Sequence, residues 1–240
     1  MKEIQALKRL GLDLQEFGRE AVPVRDILAM EACNCSGIGA SDMQALKDEV
    51  YGRMLEYVQI EGYPMEGNVK EVNVNDLVLY ILGPIIFSFQ KASKRRVRLR
   101  REMEIISSDY ETGVYEEFVV IDRISTTDHV MVFIIESKST TVGLSIRKCL
   151  LAMFDMLKHS GKGKAYGFVT TGEQWRMIVY DGTRFRMTET FFALFGAMDS
   201  NKDRWMRECS VVVECVLFAL NNGGVVDSKG VSVKEIEFQL

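Results

Sequence analysis

Proline, histidine and long apolar runs are what this 240-residue chain has least of. Three prolines leave no Pro-rich linker between lobes. The two histidines, His129 and His159, and the lone Cys33-x-Cys35 pair fall short of a structural zinc centre, which normally takes four ligands. Five cysteines are an odd number and too sparse for a disulfide scaffold. Cys149, Cys209 and Cys215 lie in apolar surroundings and read as buried reduced thiols, so the expected compartment is reducing and intracellular. No unbroken run of about 18 apolar residues occurs, which argues against a membrane span. The opening Met1 to Gln5 soon turns charged and lacks the apolar core of a secretory leader. A net charge of −4 argues against a generic nucleic-acid coat, but it leaves room for a local basic face.

What the chain does have is the composition of a globular α/β protein, 47% apolar and 27% charged, of a size for one large domain or a core with an extra lobe. Leu7, Leu10, Leu12 and Leu14 give a loose apolar face, and Val24 to Met30 form a short helix after Pro23. Cys33 to Ala40 reads as a loop. Ser41, with Gln44 three residues on, predicts a capping box opening a helix whose apolar face is Met43, Leu46, Val50, Met54 and Val58. Asn75 is the expected N-cap of a second, largely apolar helix from Asp76 to Lys91, with Pro84 inside it. Downstream come a helix over Leu144 to His159, strands at Ala165–Thr170, Trp175–Tyr180 and Phe185–Met187, and helices at Glu189–Met198 and Asp203–Asn221. The Trp205 to Leu220 apolar stripe of the last helix is read as core packing.

The informative stretch is Glu116 to Lys138. Two runs rich in Val, Ile and Phe, Phe118–Ile124 and Val130–Ile135, flank a polar Ser125–His129 turn and predict a β-hairpin. A fold-back at Thr127 brings Glu116 or Glu117 beside Glu136 and Lys138 at one end of the sheet. Two carboxylates can hold Mg²⁺ or Mn²⁺, and an ammonium two residues from Glu136 shares its strand face. Such a set suits phosphodiester hydrolysis, which needs charge neutralised on phosphoryl oxygens and a water activated. The bland alternative is a solvated strand end where Glu136 and Lys138 neutralise each other. Acid-x-lysine is common, and a second copy, Asp227-Ser228-Lys229, follows no buried strand. Context alone separates the two.

Upstream lies the basic run Lys94-Arg95-Arg96-Val97-Arg98-Leu99-Arg100-Arg101. Three readings compete for it. Its composition qualifies as a nuclear-import signal. Alternation of Val97, Leu99, Met103 and Ile105 with charged residues fits better a strand with one buried and one solvated face. In a sharper version Arg98 and Arg100 contact nucleic-acid phosphates.

The succession of helix, strand, acid-led strand, Ile-Ile-Glu-Ser-Lys strand, helix and strand resembles the PD-(D/E)XK nuclease superfamily. Tyr166 to Tyr180, with its Thr171-Gly172 turn and Trp175, is similar to nuclease domains of restriction-enzyme type. Residues 75 to 220 also resemble uncharacterised fungal proteins, some associated with Crinkler-type effectors or mobile elements. The resemblance implies a restriction-endonuclease-like core, with a mixed, mainly antiparallel sheet flanked by helices. It implies a helical N-terminal extension over 1–70, the nuclease-like domain over 71–225 and a tail over 226–240. It assigns Glu117 and Glu136 as metal ligands for Mg²⁺ or Mn²⁺ and Lys138 as the catalytic lysine. Nucleic acid, DNA above all, is the implied substrate; a nuclear site of action is the expectation that the basic run carries. The first acid is Glu117 rather than the usual aspartate, no proline precedes it, and Lys148 lies nearest the place of a glutamine that many members carry. Those departures fit either a variant active site or an inactive nuclease-fold module that binds protein or nucleic acid.

Overall fold

The computed structural model describes residues 10–30, 38–63, 70–105, 114–125, 129–138, 142–160 and 163–224. Cys33, Cys35 and the Asp227-Ser228-Lys229 triplet lie outside them. The protein is α/β, with a mixed, mainly antiparallel sheet flanked by helices on both faces. In chain order the helices are α1 (Leu14–Arg19), α2 (Val24–Ala29), α3 (Ala40–Glu61) and α4 (Glu71–Ser93). Strands β1 (Val97–Ile105), β2 (Val114–Arg123) and β3 (His129–Ser137) follow, then α5 (Val142–Ser160), β4 (Ala165–Thr170), β5 (Gln174–Tyr180), β6 (Phe185–Met187) and β7 (Phe191–Phe192). Helices α6 (Lys202–Glu208) and α7 (Val211–Asn222) complete the described chain.

The sheet order is β1-β2-β3-β4-β5-β6, with β7 also pairing β5. Among the paired strands of the described residues only β3 and β4 run parallel, because α5 carries the chain from the end of one to the start of the other. One face of the sheet is covered by α3, α4 and α7, around Leu77, Ile81, Phe118, Phe133, Trp175 and Phe218. Residues from α2 and α3, including Ile27, Val50 and Met54, belong to this same core, so the N-terminal helices share it. The other face packs α5 and α1, around Val119, Ile134, Cys149, Met153 and Phe17. Helix α4 is long and apolar enough to cross a membrane, yet half of its most apolar window is buried inside the protein. Its apolar length serves the core.

Several boundaries depart from sequence expectation for local reasons. The first long helix is capped by Gly39 without a side-chain bond, and Gln44 reaches Asp48 rather than closing a capping box with Ser41. Helix α4 begins at Glu71, four residues before the expected cap Asn75, with Asn73 Oδ1 accepting from the Lys70 backbone N–H. The expected helix from Glu189 to Met198 is instead the short strand β7 and a 3₁₀ turn at Met198–Ser200. The expected single helix at Asp203–Asn221 is broken at Cys209-Ser210 into α6 and α7, where Ser210 Oγ donates to the Met206 carbonyl. Cys149, Cys209 and Cys215 are buried cysteines in no disulfide among the described residues.

Strand β1 holds a change of face that alternation alone does not reveal. Glu102 adopts a left-handed φ of 52° and is skipped in the pairing, with Arg101 opposite Phe118 and Met103 opposite Glu116. The register is the same on both sides of Glu102, so the later side chains turn over through its left-handed backbone and not through an inserted residue. Val97 and Leu99 therefore face the α4 core, whereas Met103 and Ile105 face the α5 core.

The basic run is divided between structural and surface roles. Lys94 is the left-handed C-cap of α4. Arg95 donates to Asp122 Oδ2 at 2.7 Å and to the carbonyls of Leu220 and Gly223 at 2.7 and 2.9 Å, tying the end of α7 to the sheet. Arg98 and Arg100 are exposed on the edge strand. Gly223 is confined by this clamp: a Cβ there would lie 2.3 Å from the Val132 carbonyl oxygen and 2.7 Å from that of Ala219. Both are backbone atoms, so neither can yield as a side chain would. Gly223→Ala is expected to lower stability by about 2 kcal/mol, read as an earlier midpoint in urea at unchanged slope.

Candidate active site

The hairpin register brings the acids together. Phe118 pairs with Ile135 and Val120 with Phe133, one residue away from the fold-back expected about Thr127, and a bulge at Val120/Ile121 shifts the rest. Continuing that register sets Glu117 across from Glu136. Glu136 is also level with Val169 on β4, in the middle of the sheet, and it is completely buried. Pairing carries on past β3, since the Lys138 N–H donates to the Thr170 carbonyl at 3.0 Å. That bond anchors the lysine's backbone beside β4.

Lys138 is the hub. Its Nζ lies 2.5 Å from Glu71 Oε1, 3.3 Å from Glu117 Oε1 and 3.5 Å from Glu136 Oε1. Glu71 comes from the first turn of α4, so the helix start, β2 and β3 each supply one carboxylate. Asn75, one helical turn along, joins the group from below: its Nδ2 donates to Glu117 Oε2 at 3.2 Å, while its Oδ1 accepts from Ser137 Oγ. From the opposite layer α5 presents Lys148, whose Nζ lies 2.7 Å from Glu136 Oε2. Three carboxylates thus face two ammoniums.

The charge states follow from this arrangement. Burial pushes the Glu136 carboxyl above the ordinary glutamate range, against the Lys148 hydrogen bond and the charges of Lys148 and Lys138. The Lys138 hydrogen bond draws Glu71 below that range. Burial works against the Lys138 ammonium, but the bond to Glu71 and the charges of Glu136 and Glu117 outweigh it and raise its pKa. Lys138 is therefore a fixed positive charge and not a proton acceptor.

The chain matches no protein-family model and no curated protein. The reading of the site rests on its geometry.

Glu117, Glu136 and Lys138 converge. The side chain of Glu116 lies outside the described residues. Arg98 and Arg100 do not reach the cluster through any contact among the described residues; they stand two strands from Glu136 on the exposed edge of the sheet. Sequence reasoning missed Glu71, and it read Asn75 as a helix cap. The available signal was Glu71-x-x-x-Asn75, which places both on one face of a helix that begins there.

The donor set suits a hard divalent ion in one specific way. Among the described residues no three His, Cys, Asp or Glu side chains are gathered as a ligand group, because the carboxylates surround Lys138 Nζ instead of a shared centre. Two of them fit better: Glu136 Oε1 is buried without a hydrogen bond among the described residues, and Glu117 is adjacent. Mg²⁺ is commonly held by one or two carboxylates with waters completing its shell.

Proposed function

We propose that the protein is a metal-dependent nuclease built on a restriction-endonuclease-like core and acting on DNA. The observation that carries this reading is the fully buried Glu136, whose unsatisfied Oε1 lies 3.5 Å from the Lys138 ammonium. A buried carboxylate oxygen without a hydrogen bond costs stability, and a cation site is a physical reason for keeping it. Glu117 and Glu136 are the residues that would hold Mg²⁺ or Mn²⁺. Such an ion would polarise a phosphoryl oxygen and lower the pKa of a water bound to it.

The rest of the chemistry belongs to the chain. Asn75 holds Glu117 by one oxygen and so leaves the other directed toward Lys138. Lys138, charged and pinned between acids, stabilises negative charge developing on the phosphoryl group and orients the attacking water. Its fixed position means that little reorganisation accompanies the reaction.

The deciding experiment incubates purified protein with single- and double-stranded DNA and RNA in Mg²⁺ or Mn²⁺. Cleavage is expected, abolished by EDTA and by Glu117→Ala. Cleavage that survives Glu117→Ala would assign it to another site or to a contaminant. No cleavage of any substrate in either metal would favour the second reading, an inactive module that binds protein or nucleic acid through the same fold. That reading draws on Lys148, which already compensates Glu136.

Arg98 and Arg100 are proposed to contact phosphates beside this site. Both are exposed and lie on the edge strand, within the same sheet as the acids. Replacing both by alanine is expected to reduce the salt slope of nucleic-acid binding by about two. An unchanged slope would return them to a solvated face.

A further inference from the structure

Lys148 comes from the layer opposite Glu71 and Asn75 and meets the one completely buried carboxylate of the cluster. Its Nζ stands 2.7 Å from Glu136 Oε2, a charge-assisted contact and the closer of the two that Glu136 makes to lysine. The lysine itself keeps 27% of its side chain exposed, so it has a route to solvent that Glu136 lacks. A carboxylate held by an ammonium is a weaker ligand for a divalent ion, since the two cations repel and share one group.

Resting on the metal-site reading above, we propose that Lys148 is a built-in competitor for the metal position: its ammonium neutralises Glu136 until a divalent ion and an anionic substrate displace it together. On release the side chain turns into the solvent-facing side of the cluster, where a substrate phosphate supplies its new counter-charge. Metal entry and substrate binding are thereby coupled, each favouring the other by the same factor. Two features of the cluster support this. Lys138 is held by three carboxylates, whereas Lys148 makes its close ion pair, among the described residues, with Glu136. Among the described residues Glu136 Oε1 has no hydrogen bond and only the longer 3.5 Å ion pair to Lys138, so Lys148 is the closer compensation of this carboxylate.

The test is calorimetric titration of Mn²⁺ into the full chain, without substrate. Lys148→Gln is expected to bind Mn²⁺ about tenfold more tightly than the wild type, and Lys148→Arg to bind as the wild type does. Lys148→Met provides the same charge removal should the glutamine variant fold poorly, and thermal melts establish which variants are folded. A non-cleavable phosphorothioate oligonucleotide should tighten Mn²⁺ binding in the wild type by several-fold and have little effect in Lys148→Gln. Equal Mn²⁺ affinities in wild type and charge-removed variants would overturn the proposal, as would an oligonucleotide effect that Lys148→Gln retains. Tight Mn²⁺ binding by Lys148→Gln with no cleavage of any nucleic acid would leave the competitor role standing and overturn the nuclease. Metal-dependent cleavage with identical affinities would do the reverse.

Discussion

Lys138→Met is expected to lower single-turnover cleavage by about 10³-fold while Mn²⁺ still binds. The separation follows from what the ammonium touches. Lys138 ligates nothing itself; it lies between Glu71, Glu117 and Glu136 and supplies positive charge where a phosphoryl group would gain negative charge. Methionine keeps the apolar stem and removes only the charged head. The three carboxylates then lose their shared partner, so Mn²⁺ affinity is expected to stay level or rise. Because its acidic neighbours raise the Lys138 pKa, the wild-type rate should show no loss from lysine deprotonation below its ordinary value near pH 10. The linked stability is present below the unfolded pKa and is lost only as pH rises through the higher folded one. A loss smaller than tenfold in Lys138→Met, with Mn²⁺ affinity unchanged, would remove the lysine from the chemistry.

The elements that carry the site were legible because their signals are strong and local. The apolar runs Phe118–Ile124 and Val130–Ile135 allow little except buried strands, and α5, β4, β5 and β6 lie within a few residues of their expected bounds. The site itself was half legible. Glu117, Glu136 and Lys138 are read from a hairpin, but Glu71 belongs to a helix start distant in sequence, and only tertiary packing shows which residue it faces. Asn75 is a sharper lesson. A residue type that caps helices also suits a buried bridge, and propensity cannot distinguish the cap from the bridge between Ser137 and Glu117. The same limit applies to β1, where the left-handed Glu102 reverses the face of Met103 and Ile105. Glutamate carries no local signature for a left-handed position. Nothing in the alternation marks the switch.

Glu136→Gln is expected to abolish cleavage and, at neutral pH, to raise the melting temperature. Glutamine matches the carboxylate in shape and can still accept from Lys148, but it carries no charge into a completely buried position. Burial is the largest influence on Glu136 and holds its folded pKa above the ordinary glutamate range. For a group shifted in that direction, the linked stability is complete below the unfolded pKa and is lost as pH rises through the folded pKa. Above that folded pKa the wild type has lost it, whereas the neutral variant has not. A gain of about 1 kcal/mol corresponds to roughly 2–4 °C in a chain of this length. The difference should shrink as pH falls through the folded pKa of Glu136, because the wild-type side chain then becomes neutral as well. Scanning calorimetry of both proteins at pH 7.5, 6 and 5 measures this directly. A melting temperature several degrees lower in Glu136→Gln would mean that the Lys148 and Lys138 pairs outweigh burial and that the cluster is a structural ion-pair network. A higher one, together with lost cleavage, identifies a charge that the fold retains at a cost in stability for its chemistry.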